Sequence, residues 1–220
     1  MTSKLPTTTT TRPAIWVTST AALEVRHLPP PPAPGPGETL VRVAYSGINP
    51  ADVKLGRLLG IRDTVAGFDY SGTVIRAGAG SKFAVGDRIA GCTPCSIGRS
   101  PHFGTHQDHV LAPDAMAWRL ADDGSLPLGH AACLAVSART AADAVFNLLR
   151  YPLPADDAVL PSSAAGHDTI NQEKEKGNDL PALLVWGAAS SLGFMAIQFT
   201  RAAGTSHIFA TASPAVGRSD

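Results

Sequence analysis

The sequence predicts a fold in two parts, an all-β unit of barrel type followed by an α/β unit with a doubly wound parallel sheet. Up to about residue 120, short segments with period-2 alternation are separated by turns rich in Gly and Pro, as in small antiparallel barrels. Beyond residue 126 the pattern changes to Ala-rich amphipathic helical segments. Residues 183–193 (LLVWGAASSLG) then have the pattern of a buried parallel strand, a tight turn of small residues and a helix start.

Composition excludes several classes of protein. The 220 residues are 44% apolar, and 18 Lys and Arg balance 18 Asp and Glu, so no basic field exists to recruit nucleic acid or an anionic membrane. No apolar run is long enough to span a bilayer, and no signal-peptide pattern opens the chain. Three cysteines cannot build a disulfide framework. We therefore expect a cytoplasmic protein that binds neither nucleic acid nor membranes.

The first unit is predicted to contain seven extended segments. A polar run within residues 1–12 indicates a disordered tail, and the proline run at 29–37 is better explained as a stiff surface connector than as a ligand for an aromatic groove. The extended segments are 15–18, 23–26, 38–45, 66–75, 83–91, 106–111 and 116–120, with a short helix at 51–59.

The second unit is predicted to be helical at 130–136 and 141–149, with Thr140 at the start of the second helix. Residues 155–180 are polar and charged and are expected to form a flexible insertion. Buried strands are predicted at 183–186 and 207–212. A doubly wound dinucleotide fold has about six parallel strands. The sequence therefore predicts a truncated form of a longer protein, unless a partner completes it.

The turn after residue 186 has the order that a dinucleotide site needs, because small residues let the backbone approach a pyrophosphate at a helix N-terminus. Its glycine fingerprint is incomplete: Ala188 and Ser190 occupy the first two glycine positions and only Gly193 remains. On its own the motif leaves open a nucleotide site or an ordinary strand–helix junction.

Four motifs together carry a resemblance to a known family. They are residues 47–52 (GINPAD), 67–72 (GFDYSG), 85–89 (VGDRI) and 186–193 (WGAASSLG). With these motifs the chain resembles the medium-chain dehydrogenase/reductase superfamily, in the zinc-free branch of quinone oxidoreductases and fungal trans-acting enoyl reductases. The resemblance covers residues 13–214 apart from the insertion. It implies a GroES-like β-barrel substrate domain at 13–127, an incomplete Rossmann domain at 128–220, and an NADPH-binding cleft between them.

The resemblance also implies that the site holds no metal. Zinc enzymes of this superfamily have Cys where this chain has Asn49, and a His-Glu pair where it has Phe68 and Asp69. Cys92 and Cys95 leave open half of a zinc site, a redox pair or two free thiols, and we favour the last. The remaining clustered side chains, His102, His106 and His109, are not expected to bind a metal, because the last two would face opposite sides of a strand.

The resemblance implies that Asn49, Asp52 and Lys54 lie at the reaction centre as catalytic residues. It also implies that a hydride passes from NADP(H) to the substrate. Asp52 is equally explained as a charge in the first turn of a helix, and Thr140 as an N-cap. No acidic residue follows the strand at 207–212, which favours NADP over NAD, and Arg218 is either a phosphate ligand or part of an unrelated tail. The implied cofactor-binding residues are Thr140, Gly187, Ala188, Ala189, Ser190, Ser191, Leu192, Gly193 and Ser213.

The function expected from the resemblance is reduction of an activated α,β-unsaturated double bond on a small-molecule or carrier-bound enoyl substrate. Quinone reduction is the alternative chemistry, and a truncated fragment without catalysis is the alternative class. A Ser/His/Asp hydrolase is not expected, since no Gly-x-Ser-x-Gly motif is present. The protein is expected to be a monomer or a homodimer.

Overall fold

The computed structural model describes residues 11–154 and 180–213. The insertion predicted at 155–180 lies outside these ranges except for Leu180, as do most of the predicted tail and Arg218. The chain packs as two compact units, residues 1–136 and 137–220, and the domain boundary predicted at residue 127 stays a prediction. Within the described ranges, no helix is both long and apolar enough to cross a membrane.

The first unit contains eight strands and two helices, and a third helix begins within it. The strands are β1 (Arg12–Val17), β2 (Leu23–Leu28), β3 (Glu38–Gly47), β4 (Thr64–Val65), β5 (Asp69–Ala77), β6 (Arg88–Cys92), β7 (His109–Pro113) and β8 (Ala117–Arg119). The helices are α1 (Pro50–Leu58), α2 (Leu128–Ala131) and α3 (Ala135–Ala142).

The strands of this unit form two antiparallel sheets. The larger sheet has the order β7-β3-β5-β6-β8, and the smaller has the order β2-β1-β4. A single bridge between Ala14 and Gln107 joins β1 to the segment before β7. The predicted barrel is thus seen as two antiparallel sheets, and the described strand pairs do not close into one barrel.

Each sheet buries its own apolar cluster. In the larger sheet, Val41 of β3 and Val110 of β7 are fully buried while Arg42 is exposed, which is the alternation expected of a strand with one face on the core. A second cluster joins β1 to α1 through Val17, Leu55 and Phe68. This second cluster fixes α1, and with it the turn at Asn49, against the sheets.

Several predicted elements begin elsewhere than expected, and two of these shifts affect candidate site residues. The strand predicted to begin at His106 begins at His109 instead, because the backbone of His106 bonds outside β7. Its carbonyl accepts from the N–H of Ile15, and its N–H donates to the carbonyl of Ala66. The expectation that His106 and His109 lie on one strand was therefore wrong. Thr140 lies inside α3, so the N-cap explanation for this residue was also wrong.

The second unit contains the rest of α3, its π-helical continuation Asp143–Leu148, β9 (Leu183–Trp186), α4 (Ser191–Ala202) and β10 (Ile208–Thr211). As predicted, β9 and β10 are parallel, with Leu183 opposite Ile208. They are not buried strands, however: only Val185 is buried and Trp186 is 85% exposed. Parallel strands are buried when helices cover both faces. Among the described residues, the two strands have too few covering elements for that.

Gly47, at the end of β3, offers a direct test of how α2 packs on the sheet. A Cβ atom at this position would lie 2.1 Å from the carbonyl oxygen of Ala132 and 3.1 Å from Cβ of Asp69. We expect Gly47→Ala to lower the free energy of unfolding by roughly 2 kcal/mol or more, because backbone must move. Gly129→Ala in α2 is the control, since its Cβ would meet nothing closer than 3.7 Å. Denaturant unfolding measures both, and equal stabilities of the two variants would contradict this packing.

Candidate active site

The N-terminus of α1 holds two of the predicted catalytic residues. Asn49 is the N-cap, and Pro50 supplies the fixed φ that suits the first helical position. The backbone N–H of Asn49 donates to Asp52 Oδ2 at 2.6 Å, which satisfies a donor that the helix leaves unpaired. The side-chain amide of Asn49 donates instead to Asp69 Oδ2 at 3.1 Å. Asp52 therefore has the capping role that the sequence left open, and Asn49 links α1 to β5.

Asp69 is a buried carboxylate at the first residue of β5, only 1% exposed. Its Oδ2 accepts from Asn49 and its Oδ1 accepts from the backbone N–H of Val136 at 2.9 Å. Burial raises the pKa of Asp69 to about 6, while the bonds from Asn49 and Val136 partly offset that rise and nearby Asp52 adds to it. The carboxylate is held in place at some electrostatic cost, which is frequent at functional sites.

A second polar network lies beside the first. The Nδ1 atom of His106 is 2.6 Å from Ser46 Oγ, and its Nε2 atom is 3.6 Å from Asp52 Oδ2. Ser46 Oγ also lies 2.9 Å from the hydroxyl of Thr105 and donates to the carbonyl of Asp69 at 3.2 Å. The side chain of His106 is only 10% exposed. The network therefore places a hydroxyl, an imidazole and a carboxylate in series.

The close approach of this network to β5 requires a glycine at position 67. Gly67 has φ +94°, and a Cβ there would lie 2.3 Å from Thr105 Oγ1 and 2.7 Å from His106 Nδ1. Any side chain at this position would displace both Thr105 and His106. The glycine thus holds the backbone against the imidazole ring.

An open groove of about 380 Å³ runs past this network. Its walls include the apolar side chains of Ile15, Val43 and Ile48, and its polar side includes those of Ser46 and His106. Such a mixture of apolar walls with a few convergent polar groups is typical of small-molecule sites.

Lys54, the third predicted catalytic residue, belongs to neither network. It is exposed on α1, and among the described residues its side chain makes no hydrogen bond or ion pair. Its catalytic role stays a prediction.

A buried arginine fixes the segment that leads into Asp69. Arg99 donates to the carbonyls of Val65, Gly67 and Pro94, and its guanidinium lies 4.7 Å from the ring centroid of Phe68. Burial lowers the pKa of Arg99 to about 10, which leaves it a cation at neutral pH. A buried charged guanidinium that bonds to backbone oxygens is unusual inside a protein, and here it holds the segment by the carbonyls of Val65 and Gly67.

Cys92 is buried, whereas Cys95 and Cys133 are exposed free thiols. Across residues 11–154 and 180–213, no three His, Cys, Asp or Glu side chains converge in a way that would hold a metal ion. Asn49 and Asp69 stand at two of the positions where zinc enzymes of the superfamily have metal ligands. Here the two side chains are hydrogen-bonded to each other.

The predicted pyrophosphate turn connects β9 to α4. Ser190 is the N-cap of α4: its Oγ accepts from Gly193 N–H at 3.1 Å and donates to the carbonyl of Gly187 at 2.8 Å. Gly187 has φ +83°, and a Cβ on Gly193 would lie 2.6 Å from the carbonyl oxygen of Gly187. Both glycines are therefore required by this turn, one for its conformation and one for its close packing.

The exposed side of this turn presents backbone donors. The N–H groups of Ala188 and Gly187 both donate to Thr211, but none of the bonds described in residues 180–213 uses those of Ala189, Ser191 and Leu192. All three residues are exposed. Free N–H groups at a helix N-terminus favour an anion.

The remaining cofactor residues lie near this turn or at the end of the sheet. Ser137, a buried residue of α3 that the sequence did not single out, donates to Ser191 Oγ at 3.0 Å. Thr140 lies one helical turn after Ser137 and is exposed. Ser213 is exposed two residues after β10. Their roles toward a cofactor stay predictions.

Sequence reasoning missed the network around His106 because its members are distant along the chain. Ser46 and His106 are 60 positions apart, and Thr105 had no motif of its own. The one available signal was Gly67 in the GFDYSG motif, since a glycine at a turn next to Phe68 and Asp69 suggests close backbone contact.

Comparison with known proteins gives this geometry a family context. The alcohol dehydrogenase GroES-like domain matches residues 35–122. The chain is 29% identical to trans-enoyl reductase traG of Penicillium crustosum over 193 residues, which cover 87% of this chain and 49% of that protein. It is 25% identical to the structure of an alcohol dehydrogenase superfamily protein from Novosphingobium aromaticivorans, with a TM-score of 0.67, covering 93% of this chain and 54% of that one.

The GroES-like domain match, the fungal trans-enoyl reductase relatives and the shared fold support the medium-chain dehydrogenase/reductase superfamily. The resemblance drawn from the four motifs, including its trans-enoyl reductase branch, is confirmed. The structure of a mycobacterial protein complexed with NADPH shares the fold, with a TM-score of 0.64 at 21% identity, covering 93% of this chain and 54% of that protein. The chain spans about half the length of the curated medium-chain relatives that it matches.

The raised pKa of Asp69 leads to a test by pH. A carboxyl with a pKa of about 6 when folded, against 3.8 when unfolded, binds its proton more tightly in the fold. Its stabilising contribution is therefore complete below pH 3.8 and is lost as the pH rises through about 6. Asp69→Asn cannot ionise, so its free energy of unfolding, relative to wild type, should rise by roughly 2 to 3 kcal/mol from pH 3 to pH 7. Parallel pH profiles of the two proteins in denaturant unfolding would contradict the raised pKa.

Proposed function

We propose that this chain provides the substrate-binding unit and the pyrophosphate turn of an NADPH-dependent, zinc-independent reductase that acts on activated double bonds. The observation that carries the proposal is the turn at 187–193, where a hydroxyl N-cap and two required glycines leave exposed backbone N–H groups. The similarity to trans-enoyl reductases supports the enoyl substrate class. The chain spans about half the length of those proteins, so the reductase activity is part of what we propose for it.

The residues of the turn fit a dinucleotide. The contact of 2.6 Å that a Cβ on Gly193 would make means that only glycine lets α4 start this close to β9. Ala189, Ser191 and Leu192 would give backbone N–H groups to the pyrophosphate, and Ser191 would add its hydroxyl. Once bound, NADPH supplies a hydride. Thr140 and Gly187 to Ser190 complete the proposed binding residues in this unit.

The end of β10 favours NADP(H) over NAD(H). An acidic residue at this place would bind the ribose hydroxyls of NAD. Thr211, Ala212 and Ser213 offer a hydroxyl instead, and no carboxylate. Ser213 is accordingly proposed to contact the 2′-phosphate.

Zinc does not fit the residues at the substrate site. Phe68 offers no ligand atom, and the amide of Asn49 already donates to Asp69. Without a metal, a substrate carbonyl must be polarised by hydrogen-bond donors. Asn49, Asp52 and Lys54 remain the proposed catalytic residues, with Asn49 positioned by its bond to Asp69.

The groove beside Ile15, Val43 and Ile48 supports an apolar acyl chain as part of the substrate. A small-molecule or carrier-bound enoyl thioester would match this, because one end is apolar and the other carries a carbonyl. Reduction of a quinone is the second candidate, since a planar carbonyl compound presents the same two features.

Cofactor binding by the 220-residue chain tests the proposal. NADPH should give a saturable change in nicotinamide fluorescence, with tighter binding than NADH. Gly193→Ala should weaken NADPH binding at least tenfold, because its Cβ would push Gly187 out of the turn. Ser206→Ala is the matched control, since Ser206 is exposed away from the turn and contacts only its neighbour His207.

Circular dichroism of Gly193→Ala establishes that the variant still folds. The proposal fails if wild type shows no saturable response to NADPH, or if the folded Gly193→Ala protein binds NADPH as wild type does.

A further inference from the structure

We propose that Ser46, His106 and Asp52 form a proton relay that opens into the groove and delivers a proton to the substrate. This inference rests on the proposed function, because a reduced double bond needs a proton as well as a hydride. It assigns to this chain a proton donor outside the predicted set of Asn49, Asp52 and Lys54.

The geometry of the three side chains is that of a relay. The hydroxyl of Ser46 is 2.6 Å from Nδ1 of His106, and Nε2 of the same ring is 3.6 Å from Asp52 Oδ2. When the ring carries a proton on both nitrogens, Nδ1–H donates to Ser46 and the Asp52 carboxylate balances the charge. Ser46 and His106 both line the groove, whereas Asp52 lies behind them.

The surroundings of His106 show that the ring has one fixed position. Its backbone N–H donates to the carbonyl of Ala66, and its carbonyl accepts from the N–H of Ile15. Its ring packs directly on the backbone of Gly67, where a Cβ would lie 2.7 Å from Nδ1. A ring held this tightly keeps its two nitrogens aimed at their partners. The surface histidine His109, three residues later, has no such enclosure and serves as a natural control.

Asp52 retains an unused acceptor. One oxygen, Oδ2, accepts the backbone N–H of Asn49 and faces His106, while Oδ1 is buried with no hydrogen-bond partner among the described residues. A buried carboxylate with a spare acceptor is poorly compensated unless a cation is near. The imidazole of His106 lies 3.6 Å from this carboxylate and is the group placed to compensate it.

NADPH, once bound, would supply a hydride to the β-carbon, and the π electrons of the substrate's double bond would then form an enolate. The Ser46 hydroxyl turns from the carbonyl of Asp69 toward the substrate. Its O–H bond breaks as a C–H bond forms at the α-carbon, and Ser46 takes the Nδ1 proton of His106. His106 is left neutral and regains its proton from solvent, to which the ring is slightly exposed.

The experiment compares wild type with His106→Gln, Ser46→Ala, Ser46→Thr and the control His109→Gln. The probe is the trans-2-butenoyl thioester of N-acetylcysteamine, with NADPH, in H2O and D2O. Loss of general acid catalysis should lower kcat about a hundredfold in His106→Gln and Ser46→Ala. Their Kd for NADPH should stay within twofold and their solvent isotope effect should increase. Ser46→Thr keeps the hydroxyl and should recover activity that Ser46→Ala loses, whereas His109→Gln should behave as wild type.

A second readout does not depend on turnover. In nitrogen-15 spectra of the histidine rings without cofactor, the Nδ1 signal of His106 should move in Ser46→Ala and stay in place in His109→Gln.

Each outcome separates the relay from the proposed function. Wild-type kcat and isotope effect in His106→Gln would overturn the relay alone, as would an unmoved Nδ1 signal in Ser46→Ala. A wild-type chain that binds NADPH but reduces no enoyl probe would overturn the proposed reaction, and the proton-donor role would fall with it.

Discussion

The buried carboxylate of Asp69 is the group on which the candidate site depends. It accepts one hydrogen bond from Asn49 at the start of α1 and one from the backbone of Val136 in α3, so a single side chain joins β5 to two helices. The cost of burying it appears in its pKa of about 6. Because both its oxygens are used, it fixes the Asn49 amide at the place where zinc enzymes of the superfamily have a thiolate. A hydrogen bond thus joins two of the positions where those enzymes hold a metal.

Arg99 supports the same arrangement from the other side. Its guanidinium binds the carbonyls of Val65 and Gly67 and lies over the ring of Phe68, which directly precedes Asp69. These bonds go to backbone oxygens and fix the course of the segment. The glycine at position 67 then lets Thr105 and His106 approach it. Two polar networks with different tasks, one structural and one facing the groove, meet at this short segment.

Local patterns predicted most of the secondary structure because each element depends on its own residues. The short helix after Asn49, the turn at Ser190 and the parallel pair β9–β10 follow from turn chemistry and short apolar runs. The position of His106 was not predictable in this way, because bonds to Ile15 and Ala66, far along the chain, hold it outside β7. Burial of β9 and β10 also failed as a prediction, since burial depends on neighbours and not on strand sequence.

The contact of Phe146 with Phe199, at 5.8 Å between ring centroids, shows that helix packing supplies part of the second unit's core.

We propose that the site uses hydrogen-bond donors, and no metal, to reduce an activated double bond. The most direct measurement is isotope transfer from NADPH deuterated at the reactive carbon to an enoyl thioester, followed by NMR of the product, after treatment of the protein with a strong chelator. We expect deuterium at the β-carbon, solvent hydrogen at the α-carbon, and no effect of chelation. Loss of transfer on chelation that added zinc restores, or absence of label at the β-carbon, would contradict the proposal.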